Sequence, residues 1–162
     1  MEYFFNNPTK GNLSLEGVIS EIASFIFEEP KRAYKLTVGT DSNSKTDPDF
    51  VTAVTIHRVG SGGRYFWMRT TKENFSTPRQ RIYEETMMSL NMAAILREKI
   101  EQRMFEIWPF NHEDLEIHTD LGQNGAMKEM IKEIVGMVKG SGFLIKIKPE
   151  SFCASVIADR YT

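Results

Sequence analysis

Three runs rich in β-branched and aromatic residues follow one another with no helical pattern between them: YKLTVGT at 34–40, FVTAVTIHR at 50–58 and RYFWMRT at 64–70. VGSGG joins the last two, and Gly60, Gly62 and Gly63 can take the positive φ that a tight hairpin turn needs. The three runs therefore read as an antiparallel meander. Behind them the pattern changes to alternation. A helix is predicted from about Thr77, with Pro78 suited to its first turn, to about Met104. A strand at LEIHT (115–119), a helix at 124–140 closed by Gly140, a strand at FLIKIK (143–148) and a short helix at SFCASVIADR (151–160) follow. Strands joined through a helical crossover run parallel. The expected fold is thus α/β, with a mixed five-stranded sheet of three antiparallel strands and then two parallel β-α units. Lys146 and Lys148 alternate with Ile145 and Ile147, which marks the fifth strand as an edge. Ahead of the meander, Leu15, Val18, Ile19, Ile22, Phe25 and Ile26 form a helical stripe within Ser14 to Glu28 that stops at Pro30, an extra N-terminal helix.

No repeat or linker divides the chain, and 162 residues match the roughly 100–200 of a single domain. One domain over 1–162 is expected, with 1–33 as an N-terminal helical extension and 34–162 as the core. A domain of this size buries about two thirds of its unfolded surface, so it needs no disulfide to fold. Cys153 stands alone, and MEYFFNNPTKGN lacks the basic start and apolar run of a signal peptide, so a cytoplasmic location is expected. No run approaches the ~18 apolar residues of a membrane span. The net charge of -2 argues against a nonspecific polyelectrolyte binder of nucleic acid. It is compatible with an enzyme whose bound cations bring phosphates in.

Acidic residues stand at the ends of the predicted elements. Asp41 follows the first strand, Glu84 and Glu85 lie early in the long helix, Asp120 follows LEIHT, and Asp159 is near the end of the last helix. Converging carboxylates repel one another unless divalent cations neutralise them, which is how two-metal phosphodiester hydrolysis sites are built. If the first and fourth strands are neighbours, Asp41 and Asp120 lie side by side at their carboxyl ends, where open α/β sheets place ligands. Taken singly each acid has an ordinary explanation: an Asx-turn for Asp41, a helix cap for Asp120, the macrodipole for the glutamates and plain surface for Asp159. Their joint placement in a β-β-β-α-β-α-β-α order is what points to a site.

The strings VGTDSNS, RIYEETMMSL, IHTDLGQNG and KPESFCASVIADRYT resemble the YkuK-like bacterial branch of the ribonuclease H-like superfamily, most specifically in GTDS and ASVIADR. The similarity runs from about Tyr34 to the C-terminus, and the N-terminal helix departs from the minimal superfamily pattern. The resemblance implies a metal-dependent nuclease that hydrolyses phosphodiester bonds in RNA, DNA or a hybrid with two Mg²⁺ or Mn²⁺ ions. It makes Asp41, Glu85, Asp120 and Asp159 both catalytic residues and metal ligands, Asp41 bridging the two ions. A tryptophan-bearing basic protrusion, which some hybrid-cleaving members use, is not found, so a preference for hybrids is not implied.

Helix phase agrees with these assignments. Glu85 shares a face with Ile82, Ser89, Met92 and Ala93, whereas Glu84 falls with Met88 and Asn91, so Glu85 is preferred over its neighbour. Small Ala154, Ser155 and Ala158 allow the last helix to approach the sheet and aim Asp159 at the strand tips. Lys148 and Arg160, with Arg79 and Arg81, are positioned to hold substrate phosphates, and Tyr65, Trp67 and Tyr161 offer stacking faces. For any one of these the plainer reading is a solvated charge or a core aromatic.

Other motifs fail. The third glycine of a dinucleotide fingerprint starting at Gly60 would fall on Tyr65. DSNSKTDPD places Thr46 and Thr52 where a calcium loop needs glycine and glutamate. Cys153 reads as a buried structural thiol, and His57, His112 and His118 have no zinc spacing. His118, two residues before Asp120, either orients a metal-bound group or is a satisfied structural histidine. The rival functions are a non-catalytic nucleic-acid-binding module on the same fold and an actin-like phosphotransferase. The latter needs two such domains, which the length excludes.

Overall fold

The computed structural model describes residues 2–104, 114–122 and 127–162. His112 and the expected first residues of the helix at 124–140 lie outside the described residues. The chain opens with a hairpin that was not anticipated, β1 (Phe4–Asn7) and β2 (Gly11–Ser14). Asn7 Oδ1 accepts from the amides of Thr9 and Lys10 at 2.9 and 2.8 Å, and Gly11 takes φ +71°. This is Asx-turn chemistry with a glycine in the left-handed region. Ser14 then caps α1 (Leu15–Glu28) by accepting from the Gly17 amide at 3.1 Å.

The meander is β3 (Tyr34–Ser42), β4 (Asp49–Arg58) and β5 (Gly63–Thr71). β1 pairs antiparallel with β5, Asn6 opposite Trp67. The N-terminal hairpin therefore extends the sheet on the meander side. α2 (Pro78–Met104) leads to β6 (Leu115–His118), α3 (Lys128–Gly140), β7 (Leu144–Lys146) and a terminal π-wound helix, α4 (Cys153–Ala158). The sheet order is β2-β1-β5-β4-β3-β6-β7. It has seven strands where five were expected, because FFNN and GNLS contain no β-branched residue to mark them as strands. The mixed arrangement itself is as expected, with β3–β4–β5 antiparallel, β6 and β7 parallel, and β7 at the edge.

α2 begins with a reciprocal cap. The Gln80 amide donates to Thr77 Oγ1, and Gln80 Oε1 accepts from the Thr77 amide, both at 3.2 Å. Leu36, Val38, Val54, Ile56, Phe66, Leu115 and Ile117 join α1 and α2 in the main core. On the opposite face Val51 and Ala53 meet Cys153 and Ala158 of α4. No helix among the described residues is long and apolar enough to cross a membrane.

Gly39 sets how closely α4 sits. A Cβ there would stand 2.6 Å from the Ala154 backbone nitrogen and 2.9 Å from the Cys153 carbonyl carbon. Neither backbone atom can yield without moving α4. Gly39→Ala is therefore expected to cost about 1–3 kcal/mol, the usual scale of overpacking, read as a lowered denaturation midpoint. An unchanged midpoint would show that the helix is not seated on β3 at this point.

Candidate active site

Parallel pairing of β3 and β6 puts Thr37 opposite Glu116 and Gly39 opposite His118. Two residues beyond that last pair, each segment carries an aspartate, Asp41 and Asp120. α2 is fastened to the same place. Buried Ser89 donates to Thr40 Oγ1 at 2.8 Å, and that oxygen is 3.0 Å from the Thr52 hydroxyl. One helical turn earlier Glu85 lies over Ser42, whose hydroxyl donates to Glu85 Oε1 at 2.6 Å. Glu85 is buried, whereas Glu84 is turned to an ion pair with Lys72. From the far end of α4, Asp159 comes within hydrogen-bonding reach of Asp41. The structure thus brings Asp41, Glu85, Asp120 and Asp159 together and leaves Glu84 outside.

Their electrostatics carry the mark of crowded like charge. Burial is the largest influence on Asp41, followed by the Asp120 charge and by the hydrogen bond and charge of Asp159, and together they push it up to about 7. Burial likewise raises Glu85 to about 8, reinforced by Asp41 and Asp120 and opposed by the Ser42 hydroxyl and the charge of Arg81. The Lys148 ammonium is 3.0 Å from Asp120 Oδ1, and that contact raises its pKa.

Among the described residues no three His, Cys, Asp or Glu side chains are arranged, as they stand, to hold a metal ion. Asp120 is engaged by Lys148 and Glu85 by Ser42. The donor chemistry nevertheless fits a divalent cation that prefers oxygen, since all four groups are carboxyls, and burial first, then neighbouring carboxylates, raises the pKa of two of them.

The remaining candidates separate clearly. Arg160 reaches Tyr65, and Arg79 is paired with Glu133 on α3 at 3.3 Å. Tyr161 stacks on Trp67, centroids 4.2 Å apart and 12° from parallel, and its hydroxyl is 2.8 Å from that of Tyr65. One face each of Trp67 and Tyr161 is therefore used to fasten the C-terminus to β5.

His118 is the structural histidine of the two alternatives. Its Nδ1 accepts from the Cys153 amide at 3.1 Å, and its Nε2 lies 3.1 Å from Glu116 Oε2. Accepting at Nδ1 leaves Nε2 as the donor to Glu116. Glu116, not among the residues singled out from the sequence, is buried between this ring and Lys35 Nζ at 2.9 Å. These partners, His118 first, hold its carboxyl down at about 2. The signal was present as a glutamate among apolar neighbours in a short strand, LEIH. The pair anchors the start of α4, and Asp159 projects from the other end.

The Ribonuclease H-like family profile matches residues 17–162. The Uncharacterized protein YkuK of Bacillus subtilis (strain 168) is 32% identical over 170 residues, covering 99% of this chain and 97% of that protein. No solved structure matches. With the family profile spanning all but the first sixteen residues and the relative matched almost end to end, the chain belongs to the ribonuclease H-like family, in its YkuK-like branch.

Proposed function

We propose that this protein is a metal-dependent nuclease that hydrolyses phosphodiester bonds, with Asp41, Glu85, Asp120 and Asp159 as its catalytic and metal-holding residues. The observation that supports this most is the meeting of four carboxyls from β3, α2, the segment after β6 and the end of α4, with Asp41 and Glu85 driven toward their neutral forms. Carboxyls brought together in this way, two of them buried with raised pKa, are an arrangement that a divalent counter-ion would satisfy. When bound, Mg²⁺ or Mn²⁺ would activate a water and stabilise the leaving 3′ oxygen.

The chain's own residues supply position. Ser42 aims Glu85, the Ser89–Thr40–Thr52 hydroxyl chain locks α2 to the strand that carries Asp41, and the His118–Glu116 pair seats the helix that carries Asp159. Arg160 and Arg81 are the cations assigned to phosphates flanking the scissile one. A binding-only module on this fold has no use for clustered negative charge beside phosphates. The test is turnover on labelled RNA, DNA, hybrid and junction substrates with Mg²⁺ or Mn²⁺, and again with chelator. Metal-dependent cutting of at least one substrate is expected. No cutting under any condition would leave the binding module as the function.

A further inference from the structure

Lys148, expected to hold substrate phosphates beside the site, stands directly against one of its carboxyls, Asp120. Beyond their last paired residues β6 and β7 stay joined: the Thr119 amide donates to the Lys146 carbonyl at 3.0 Å, and the Lys148 amide donates to the Leu121 carbonyl at 2.9 Å. Asp120 lies between those two joints and Lys148 faces it, Nζ to Oδ1 at 3.0 Å. The charges of Asp41 and Asp159 act on the same ammonium. Of the cations near the site, Lys148 is thus held by backbone as well as by side chain. An ammonium is a compact point charge that can neutralise a carboxylate, but it offers no coordination position of its own.

We propose that Lys148 is a built-in counter-cation of this site, taking the place of a second divalent ion at Asp120. The chain then holds one divalent ion tightly, centred on Asp41, and a second only where the ammonium is displaced from Asp120. This refines the nuclease reading, and its bearing on catalysis rests on that reading, but the binding it describes does not require turnover.

The test is a Mn²⁺ titration of the full chain without substrate, following free Mn²⁺ by electron paramagnetic resonance and total binding by calorimetry. The wild type should bind one ion, with any second at least ~10-fold weaker, the scale on which one nearby charge acts. Lys148→Met keeps the length and removes the charge, and the second ion should then bind at least ~10-fold tighter. Lys148→Arg keeps the charge and should retain the wild-type isotherm. The Lys148 side chain is half exposed, so neither variant is expected to unfold the protein. Identical isotherms for wild type and Lys148→Met, or no binding by either at millimolar Mn²⁺, would overturn the proposal. Separate isotherms in a protein that cuts nothing would leave this proposal standing and sink the nuclease reading. Identical isotherms in a protein that does cut would do the reverse.

Discussion

Asp41→Asn is expected to lower cleavage by at least ~100-fold, the scale on which loss of one preorganised electrostatic element is felt. The substitution keeps the shape of a nearly buried side chain and removes charge at the point where Asp120 and Asp159 both act. Glu85→Gln and Asp120→Asn should act similarly. Glu84→Gln supplies the control, because Glu84 is adjacent and chemically identical to Glu85 but is paired with Lys72 outside the cluster, and it should keep near wild-type turnover. Rates measured on whichever substrate the wild type cuts decide the matter. Loss in Glu84→Gln with retention in Glu85→Gln would move the ligand to the other helix face, at Glu84. Full activity in all four variants would remove the carboxylates from the chemistry.

The second large effect needs no substrate. In chelator, the melting temperature should fall as pH rises from about 5 to 8.5. Asp41 and Glu85 titrate near 7 and 8 in the folded chain, against about 3.9 and 4.3 for unfolded aspartate and glutamate. Between those limits the native state binds more protons than the unfolded one, so stability must decline with pH. Their contribution is complete below about pH 4 and is lost as pH climbs through 7 and 8. Glu116 has the opposite sign, since its carboxyl is held at about 2. Its contribution is already complete above about pH 4 and stays constant across the measured window.

A tenfold displacement of one proton equilibrium is worth about 1.4 kcal/mol, and about 1 kcal/mol moves the melting temperature of a chain this long by about 2–4 °C. Both groups are displaced in the same direction, so together they should lower the melting temperature by several degrees across this range. Asp41→Asn and Glu85→Gln should each flatten the slope and melt above the wild type at pH 8.5, which would also show that their loss of cleavage is not unfolding. Added Mn²⁺ should restore the wild type and do little for Asp41→Asn. A wild-type melting temperature independent of pH would mean that the carboxyls do not share one environment.

The long periodic elements were legible in the residues. The three meander strands and α2 end within a residue or two of their predicted bounds, because strands of nine or ten residues and a 27-residue helix repeat their pattern often enough to be read. The inward Glu85 and outward Glu84 were legible too, since helix phase is a local property and both faces of α2 were already marked by Ser89 and Ala93 against Met88 and Asn91. The phase argument was less apt for α4. Its π winding buries Cys153, Ala154 and Ala158, while Ser155 is half-buried and donates to the Ser151 carbonyl at 2.8 Å. A spacing of i, i+1 and i+4 presumes the α-helical turn that this segment does not keep.

By itself, then, the chain's sequence determined the order and type of its main elements and which residues stand at their ends, because hydrophobic period and turn chemistry are local. Tertiary structure decided what those ends meet. The β1–β2 hairpin finds its place only beside β5, Gly39 has a reason only in the Ala154 backbone, and His118 becomes an anchor only through the Cys153 amide. Lys148 reads as a solvated cation until the joining of β6 and β7 sets it against Asp120. Each of these contacts links residues far apart along the chain, and their energies come from burial and proximity, which no local pattern encodes.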